Sequence, residues 1–132
     1  MVYTRIAREI TGSRHALPLT RRSVTHKFIV GEFEGYLTIG LFQDGRPGEI
    51  FIKMAKEGST LSGMIQGFCR AFSLCLQHGL DVRDACERFR GMRFEPSGET
   101  GNPQIPHAES VLDYVARYLE RHFSDVDSRS AA

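Results

Sequence analysis

The sequence has few of the residues that disulfide-rich, metal-binding or membrane-spanning proteins require. It contains three cysteines, Cys69, Cys75 and Cys86, and none of them forms a Cys-x-x-Cys pair. An odd number without that spacing argues against a disulfide framework or a zinc ribbon and is typical of thiols that stay reduced in a cytosol. No apolar run approaches the roughly 18 residues of a membrane span, and charged residues interrupt the first ten positions, where a signal peptide would have an apolar core. These features predict a cytoplasmic protein without membrane contact or bound metal.

Charge is nearly balanced overall but is unevenly distributed. The net charge is +1 over 132 residues, of which 41% are hydrophobic and 25% charged, as in a single globular domain. Up to residue 27, Glu9 is the one acid, and we predict that residues 1–22 form a basic, flexible arm. Such an arm is either a solvated tail or a contact for phosphate or an acidic partner. Its basic residues, with the first lysine of the domain, are Arg5, Arg8, Arg14, Arg21, Arg22 and Lys27.

An alternation of apolar and polar residues begins at Val24 and predicts three consecutive strands. Alternation with a period of two is the pattern of a strand with one buried face. Asp44-Gly45 separates the second run from the third, and Asp-Gly is a strong signal for a tight hairpin. The sequence therefore predicts an antiparallel meander with inward residues Val24, His26, Phe28 and Val30, then Leu37, Ile39 and Leu41, then Ile50, Ile52 and Met54.

A long helix is predicted after the third strand. The hydroxyls of Ser59 and Thr60 can cap its start, and Gly79 can end it. Its apolar residues recur at helical spacing. A stripe of small residues recurs at every fourth position and indicates either close packing, most simply on the sheet, or a binding surface. The apolar residues are Leu61, Met64, Ile65, Phe68, Phe72 and Cys75, and the small ones are Gly63, Gly67 and Ala71.

The remaining chain predicts two more helices around an irregular segment. A short helix is expected over 82–88 and a last helix over 107–123, followed by a polar tail over 124–132. The segment 91–106 is rich in glycine and proline, and we interpret it as a long loop. The predicted fold class is α+β: a three-stranded antiparallel meander, a long glycine-containing helix, a short helix, a long loop and a C-terminal helix, all in one domain over 23–123.

No arrangement of residues indicates independent catalysis, and we predict no catalytic residues. The sequence has neither a Gly-x-Ser-x-Gly elbow nor the residue order of a P-loop. Cys75, His78 and Cys86 lack the fourth ligand of a zinc signature. The start of the long helix offers a weakly positive site for an anion, although helix capping accounts for the same residues. The candidate anion-binding residues are Lys56, Gly58, Ser59 and Thr60.

The outward face of the predicted sheet is a candidate binding surface. If the apolar alternation points inward, then Lys27, Tyr36, Thr38, Phe51 and Lys53 point outward together. Aromatic residues interleaved with lysines on an open sheet are able to stack single-stranded bases. An exposed apolar patch of this kind equally suits contact with another domain or subunit. Either interpretation makes the face a binding surface.

Several ordered segments resemble one domain of adenosylcobalamin-dependent (vitamin B12-dependent) ribonucleotide reductases. It is the domain of the TSCPD type, which follows the catalytic barrel, and the resemblance covers roughly residues 18–123. The loop residues Arg93, Glu95 and Ser97 lie in one of the matching segments and are further candidate binding residues. The segments are Ser23–Phe28, Glu34–Leu41, Gly48–Gly63, Arg93–Gly98 and Thr100–Pro103, together with the last helix.

The resemblance implies that the chemistry of the family resides outside this chain. In those reductases the barrel supplies the radical-forming cysteine, the reducing cysteine pair and the adenosylcobalamin pocket, so no cofactor is expected on this chain. The cysteine-rich tail of the family and the literal Thr-Ser-Cys-Pro-Asp string that names the domain are both missing here. Redox shuttling is therefore not expected either.

Two functions follow from the resemblance and the surface residues. The first is a stand-alone, non-catalytic accessory or regulatory module that binds a ribonucleotide reductase catalytic chain in deoxyribonucleotide synthesis. The alternative is a module that binds nucleotides or single-stranded nucleic acid through the basic arm and the open sheet face. A homo-oligomer is compatible with either function, and independent enzyme activity is not expected.

Overall fold

The computed structural model describes residues 13–55 and 58–131, with side chains up to Ser124. Three strands form an antiparallel sheet in the order β1-β2-β3: β1 is Ser23–Val30, β2 is Phe33–Leu41 and β3 is Pro47–Met54. The strand register pairs Lys27 with Tyr36, and Tyr36 with Lys53. The predicted meander and the α+β fold class are therefore confirmed.

The first helix, α1 (Thr60–Gln77), packs against β3 on the inner face of the sheet. Its inward residues, which include Ile65, Cys69, Phe72 and Leu76, are buried. Two buried polar side chains also join the helix to the strand. The hydroxyl of Ser73 accepts from the Ile50 amide at 2.9 Å and donates to the Ile50 carbonyl, and the Gln77 amide nitrogen donates to the Gly48 carbonyl at 2.9 Å.

The small-residue stripe of α1 faces away from the sheet, so the prediction of close packing there was wrong. A Cβ added at Gly63 or Gly67 would meet no atom within 4 Å, and Ala71 is exposed. Met64 and Cys75, predicted among the apolar positions, are exposed as well. The reason is that the larger apolar side chains on the opposite side of the helix bury more area, and they decide which side faces the sheet.

The second half of the domain contains a hairpin where the sequence predicted a long loop. After α2 (Val82–Phe89), the chain forms β4 (Gly98–Asn102) and β5 (Ile105–Ala108), which pair antiparallel. Hydrogen bonds of Thr100 and Asn102 side chains to the neighbouring backbone hold the turn. Such short strands have too few residues for an alternation to be visible. Ile105 and Ala108 are nevertheless buried.

The last helix, α3 (Val111–Ala131), begins later than the predicted start at residue 107 and continues beyond the predicted end at 123. Its start is fixed by Ser110, whose hydroxyl accepts from the Asp113 amide at 3.0 Å, as a helix cap does. The same hydroxyl donates to the Met92 carbonyl at 2.6 Å. The cap thus also joins α3 to the segment after α2.

The hairpin meets the sheet where Gly31, between β1 and β2, lies close to Gly98 at the start of β4. Gly31 has a φ of +59°, and a Cβ there would lie 2.5 Å from the Ser97 carbonyl oxygen. Its amide donates to the Glu99 carbonyl at 3.0 Å. Only glycine suits this backbone conformation at this distance. The turn between β1 and β2 is therefore attached directly to β4.

Residues 13–22, the described part of the basic arm, contact the domain. The Arg21 guanidinium pairs with the Glu49 carboxylate at 2.6 Å, and Arg14 donates to the side chain of Gln77. Backbone bonds join His15 to Gln77 and Leu41 to Arg22. Residues 1–12 of the predicted arm lie outside the described residues.

Asp113 is fully buried, and its replacement should destabilise the domain strongly. Its carboxylate accepts from the amides of Gly91 (2.6 Å) and Glu109 (2.8 Å) and from the Arg117 guanidinium (2.8 Å). Asp113→Ala leaves buried amides without an acceptor, so the free energy of unfolding should fall by about 2–4 kcal/mol in denaturant titrations.

Arg117→Ala is the matched control for this substitution. It removes the more exposed partner of the same ion pair, whose side chain is 41% exposed against 1% for Asp113. The buried carboxylate keeps both of its amide donors, so the loss should be smaller than for Asp113→Ala. Equal losses for the two variants would show that the ion pair, and not the backbone acceptor, accounts for the stability.

Candidate functional site

A cavity of about 560 Å³ opens where β1, the hairpin turn and α3 meet. We call it the ring cavity. Its volume falls within the range of small-molecule sites. The residues that line it are His26, Lys27, Phe28, Ile29, Thr100, Gly101, Asn102, Gln104, Tyr114, Tyr118 and His122.

Aromatic rings in contact form one wall of the ring cavity. Tyr118 stacks on His26 with ring centroids 4.2 Å apart, and the ring of His122 contacts Tyr118 at 4.3 Å with the two planes tilted by 38°. Below them, Tyr114 stacks on Phe28 at 5.0 Å. The rings run from the core, where Phe28 is 3% exposed, to the surface, where His122 is exposed. The cavity therefore combines flat aromatic surfaces with polar ring atoms.

The wall is built by the four-residue spacing of Tyr114, Tyr118 and His122 on α3. Residues four apart lie on one face of a helix, one above the other. His26 reaches them from β1, where it occupies an inward position among apolar residues. A histidine in an apolar alternation and an aromatic residue at every fourth helical position are the signals that sequence reasoning missed.

A hydrogen-bonded chain holds the inner part of the cavity. The Tyr114 oxygen accepts from the side-chain amide of Asn102 at 3.0 Å and lies 2.8 Å from Nε2 of His26. Because Asn102 donates to this oxygen, the tyrosine proton is available for Nε2. This arrangement favours the neutral imidazole with its proton on Nδ1.

Burial favours the uncharged forms of the two histidines and two tyrosines that line the cavity. It lowers the pKa of His26, with a smaller effect from His122, and it lowers the pKa of His122, with a smaller effect from Arg121. It raises the pKa of both Tyr114 and Tyr118. The rings of the wall are therefore polar and favour their uncharged forms, and Lys27 is the charged side chain of the lining.

The residues predicted on the open sheet face lie together on its outward side. Tyr36 and Phe51 are 45% and 51% exposed, and Lys27 and Lys53 are exposed beside them. Lys27 lies 2.9 Å from the Glu34 carboxylate. Hydrogen bonding to Glu34 is the main cause that raises the pKa of Lys27. One of the two lysines is thus already paired with an acid on the same face.

The other predicted residues are dispersed. Ser59 accepts from the Ser62 amide at 3.1 Å and caps α1, as expected, and Gly58 and Thr60 are exposed beside it. Lys56 lies outside the described residues. Arg93 pairs with Glu109 at 2.8 Å. The structure places Glu95 and Ser97 in a separate shallow cleft with Gly31 and Glu32.

The outward side of α1 is a second surface, which we call the outer α1 face. It consists of Thr60, Met64, Gly67, Ala71, Leu74 and Cys75, all exposed. Met64 is 72% exposed and Leu74 48% exposed. The one charged residue in the 18 residues of α1 is Arg70. Most surface helices turn a charged face to water, so this face is unusual.

The described residues contain no metal-binding cluster and no membrane-spanning helix. Among them, no group of three or more histidine, cysteine, aspartate or glutamate side chains is arranged to hold a metal ion. No helix in the described segments is both long and apolar enough to cross a bilayer. Cys69 and Cys86 are buried and Cys75 is exposed. Burial raises the pKa of Cys69 to about 12.

The fold and these surfaces define a small α+β domain with a polar cavity and an apolar helix face. The chain belongs to the TSCPD domain family, whose model matches residues 7–123. The predicted resemblance is therefore confirmed. No solved structure is significantly similar to the chain.

The curated relatives are much longer proteins. The chain is 51% identical over 106 residues to the vitamin B12-dependent ribonucleotide reductase of Rhodopirellula baltica, a match that covers 80% of this chain and 10% of that protein. It is 42% identical over 118 residues to the reductase of the same name from Streptomyces avermitilis, covering 89% and 12%. The counterpart from Agrobacterium fabrum is 44% identical over 119 residues, covering 86% and 9%. The chain thus spans about a tenth of these relatives.

The ring cavity does not fit the cobalamin of those relatives. A corrin needs a broad flat slot, whereas Tyr118 contacts both His26 (4.2 Å) and His122 (4.3 Å) and leaves no slot between these rings. Nε2 of His26, a potential ligand atom for cobalt, is already directed at the Tyr114 hydroxyl. We therefore assign no residue of this chain to cobalamin.

His26 should make the stability of the domain depend on pH. Since its pKa is lowered in the folded state, the unfolded chain binds more protons between the two pKa values. The free energy of unfolding should therefore be greatest above about pH 6.5 and should fall as the pH drops below that value. Denaturant titrations at a series of pH values measure this slope.

His26→Gln should have a shallower slope than the native chain because glutamine does not titrate. Some slope should remain, since the pKa of His122 is lowered as well. His15→Gln is the control, because His15 is exposed and lines a different cavity. A native chain that gains stability on acidification over this range would contradict the assignment.

Proposed function

We propose that this domain is a non-catalytic interaction module of the ribonucleotide reductase system, which binds the catalytic chain of a vitamin B12-dependent reductase. Family membership supports the association with such reductases. The outer α1 face is the observation that carries the proposal, because it is the kind of surface that a partner covers.

The composition of the outer α1 face supports a protein contact in preference to a solvated surface. Exposed Met64 and Leu74 lie on either side of Gly67 and Ala71, where the backbone is accessible. Small residues of this kind allow another backbone to approach closely, and the flanking apolar side chains bury area when it does. Only Arg70, at the edge of the face, would need to keep its contact with water.

The outer α1 face and the open sheet face are separate surfaces. α1 packs on the inner side of the sheet through Ser73 and Gln77, so its outward residues lie on the opposite side of the domain from Tyr36 and Phe51. The two surfaces can therefore be tested independently with single substitutions.

Ala71→Glu should weaken binding to the reductase catalytic chain at least tenfold, which corresponds to about 1.4 kcal/mol. The glutamate would place a charge at the centre of the apolar face, where it must be desolvated on contact. Affinity is measured by titration of the domain against the purified catalytic chain from the same cell, together with its effect on reductase turnover.

Thr25→Glu is the matched control for this substitution. It adds the same charge at an exposed position on the open sheet face, and it should leave the affinity unchanged. The thiol of Cys75 gives a second measurement, because the catalytic chain should protect it from a maleimide reagent. No association and no effect on turnover would refute the proposal, and equal losses for both variants would place the contact elsewhere.

A second candidate function is the binding of single-stranded nucleic acid on the open sheet face. Two half-exposed aromatic rings, Tyr36 and Phe51, lie beside Lys53, for which no ion pair is observed among the described residues. Bases stack on such rings, and phosphates bind such lysines.

Phe51→Ala should weaken the binding of a labelled single-stranded oligonucleotide by about 1–3 kcal/mol, the contribution of one stacked base. Fluorescence anisotropy measures this, and the affinity should fall with rising salt concentration. Leu74→Ala, an apolar truncation on the outer α1 face, is the control. Absence of saturable, salt-sensitive binding would exclude this function.

A further inference from the structure

We propose that the ring cavity binds a nucleoside phosphate, with the base against the exposed ring of His122 and the phosphate at Arg121. The cavity lies at the edge of β1 and on α3, whereas the outer α1 face lies on another helix. The inference is therefore independent of the contact with a reductase catalytic chain.

The aromatic wall favours a flat ligand. The exposed imidazole of His122 ends the series of ring contacts that begins in the core. A planar ring placed against it would add one more ring contact. Bases stack on aromatic side chains, so this contact favours binding.

The polar groups of the cavity favour an uncharged heteroaromatic ring over a hydrocarbon. The side-chain amide of Asn102 is hydrogen-bonded to the Tyr114 hydroxyl. The hydroxyl of Tyr118 and the side chain of Gln104 have no hydrogen-bond partner among the residues whose side chains are described, and both line the cavity. A nucleobase offers donors and acceptors along its edge for these groups.

The backbone at the open edge of the sheet adds further polar groups. β1 is an edge strand, and in an antiparallel pair every second residue directs its amide and carbonyl away from the partner strand. The part of this edge at residues 27–29 lines the cavity. These amides and carbonyls can form hydrogen bonds with the edge of a base, as they would with a neighbouring strand.

Arg121 places a positive charge beside the cavity, where it can bind the phosphate of the ligand. Arg121 is exposed, precedes His122 on α3 and lines a neighbouring cleft that shares Gln104 with the ring cavity. Arg117 and Arg90 are paired with Asp113 and Glu120, whereas no ion pair of Arg121 occurs among the side chains that the structure describes. The charge of Arg121 is therefore available to a phosphate, while the aromatic wall accepts the base.

The proposal is tested by calorimetric titration of the full chain with ATP, GTP, CTP and UTP. At least one should bind saturably, and inorganic tripolyphosphate and ribose 5-phosphate should bind at least tenfold more weakly because they lack a base. Equal binding of tripolyphosphate would show a purely electrostatic contact, and no binding of any nucleotide would overturn the proposal.

His122→Ala should weaken the binding of the preferred nucleotide at least tenfold. His122 is exposed, so the variant should remain folded. His15→Ala, at an exposed histidine in a different cavity, is the control and should bind as the native chain does. Equal affinity of both variants would overturn the proposal.

Nuclear magnetic resonance of the native chain provides a test without any substitution. The ring-proton signals of His26 and His122 should shift on addition of the preferred nucleotide, while those of His15 should stay unchanged. Shifts confined to His15 or to residues of the open sheet face would place the ligand elsewhere. Ala71→Glu should bind nucleotide normally, which separates a failure of this inference from a failure of the reductase contact.

Discussion

The buried carboxylate of Asp113 is the interaction on which the second half of the domain depends. It gathers the amide after α2, the amide at the end of the hairpin and a guanidinium on α3 around one side chain that is fully buried. A helix whose first turn is held in this way cannot rotate without breaking several bonds to buried groups. Because Tyr114, Tyr118 and His122 follow on the same helix, Asp113 also decides where the rings of the cavity point.

In the first half of the domain, buried polar side chains attach α1 to the sheet. Ser73 and Gln77 satisfy backbone groups of β3 and thereby fix α1 on the sheet. With the inner side of α1 fixed, the remaining apolar and small residues must face outward. The outer α1 face is therefore a consequence of a helix that has more apolar surface than its own sheet can cover, and a partner is the usual way in which such surface is removed from water.

The elements that were predictable from the sequence are those whose pattern is local and long. Eight or nine alternating residues per strand and an Asp-Gly turn determine the meander, and Ser59 marks the start of α1. The hairpin was not predictable, because its turn depends on side-chain bonds from Thr100 and Asn102 and its strands have five and four residues. The ring cavity joins residue 26 to residues 100–104 and 114–122, and no period in the sequence indicates contacts between such distant segments.

The hairpin turn, which lines the ring cavity, occupies the position of the string that names the family. Thr100 and Pro103 stand at the spacing of the threonine and proline in the Thr-Ser-Cys-Pro-Asp string that names the domain, and Asn102 stands where that string has its cysteine. In this chain, the Asn102 side chain donates to the Tyr114 hydroxyl and accepts from the Gln104 amide. A cysteine is only a weak hydrogen-bond donor and acceptor and would support neither bond well. At this position the chain therefore contributes a hydrogen-bonded scaffold that joins the hairpin turn to α3.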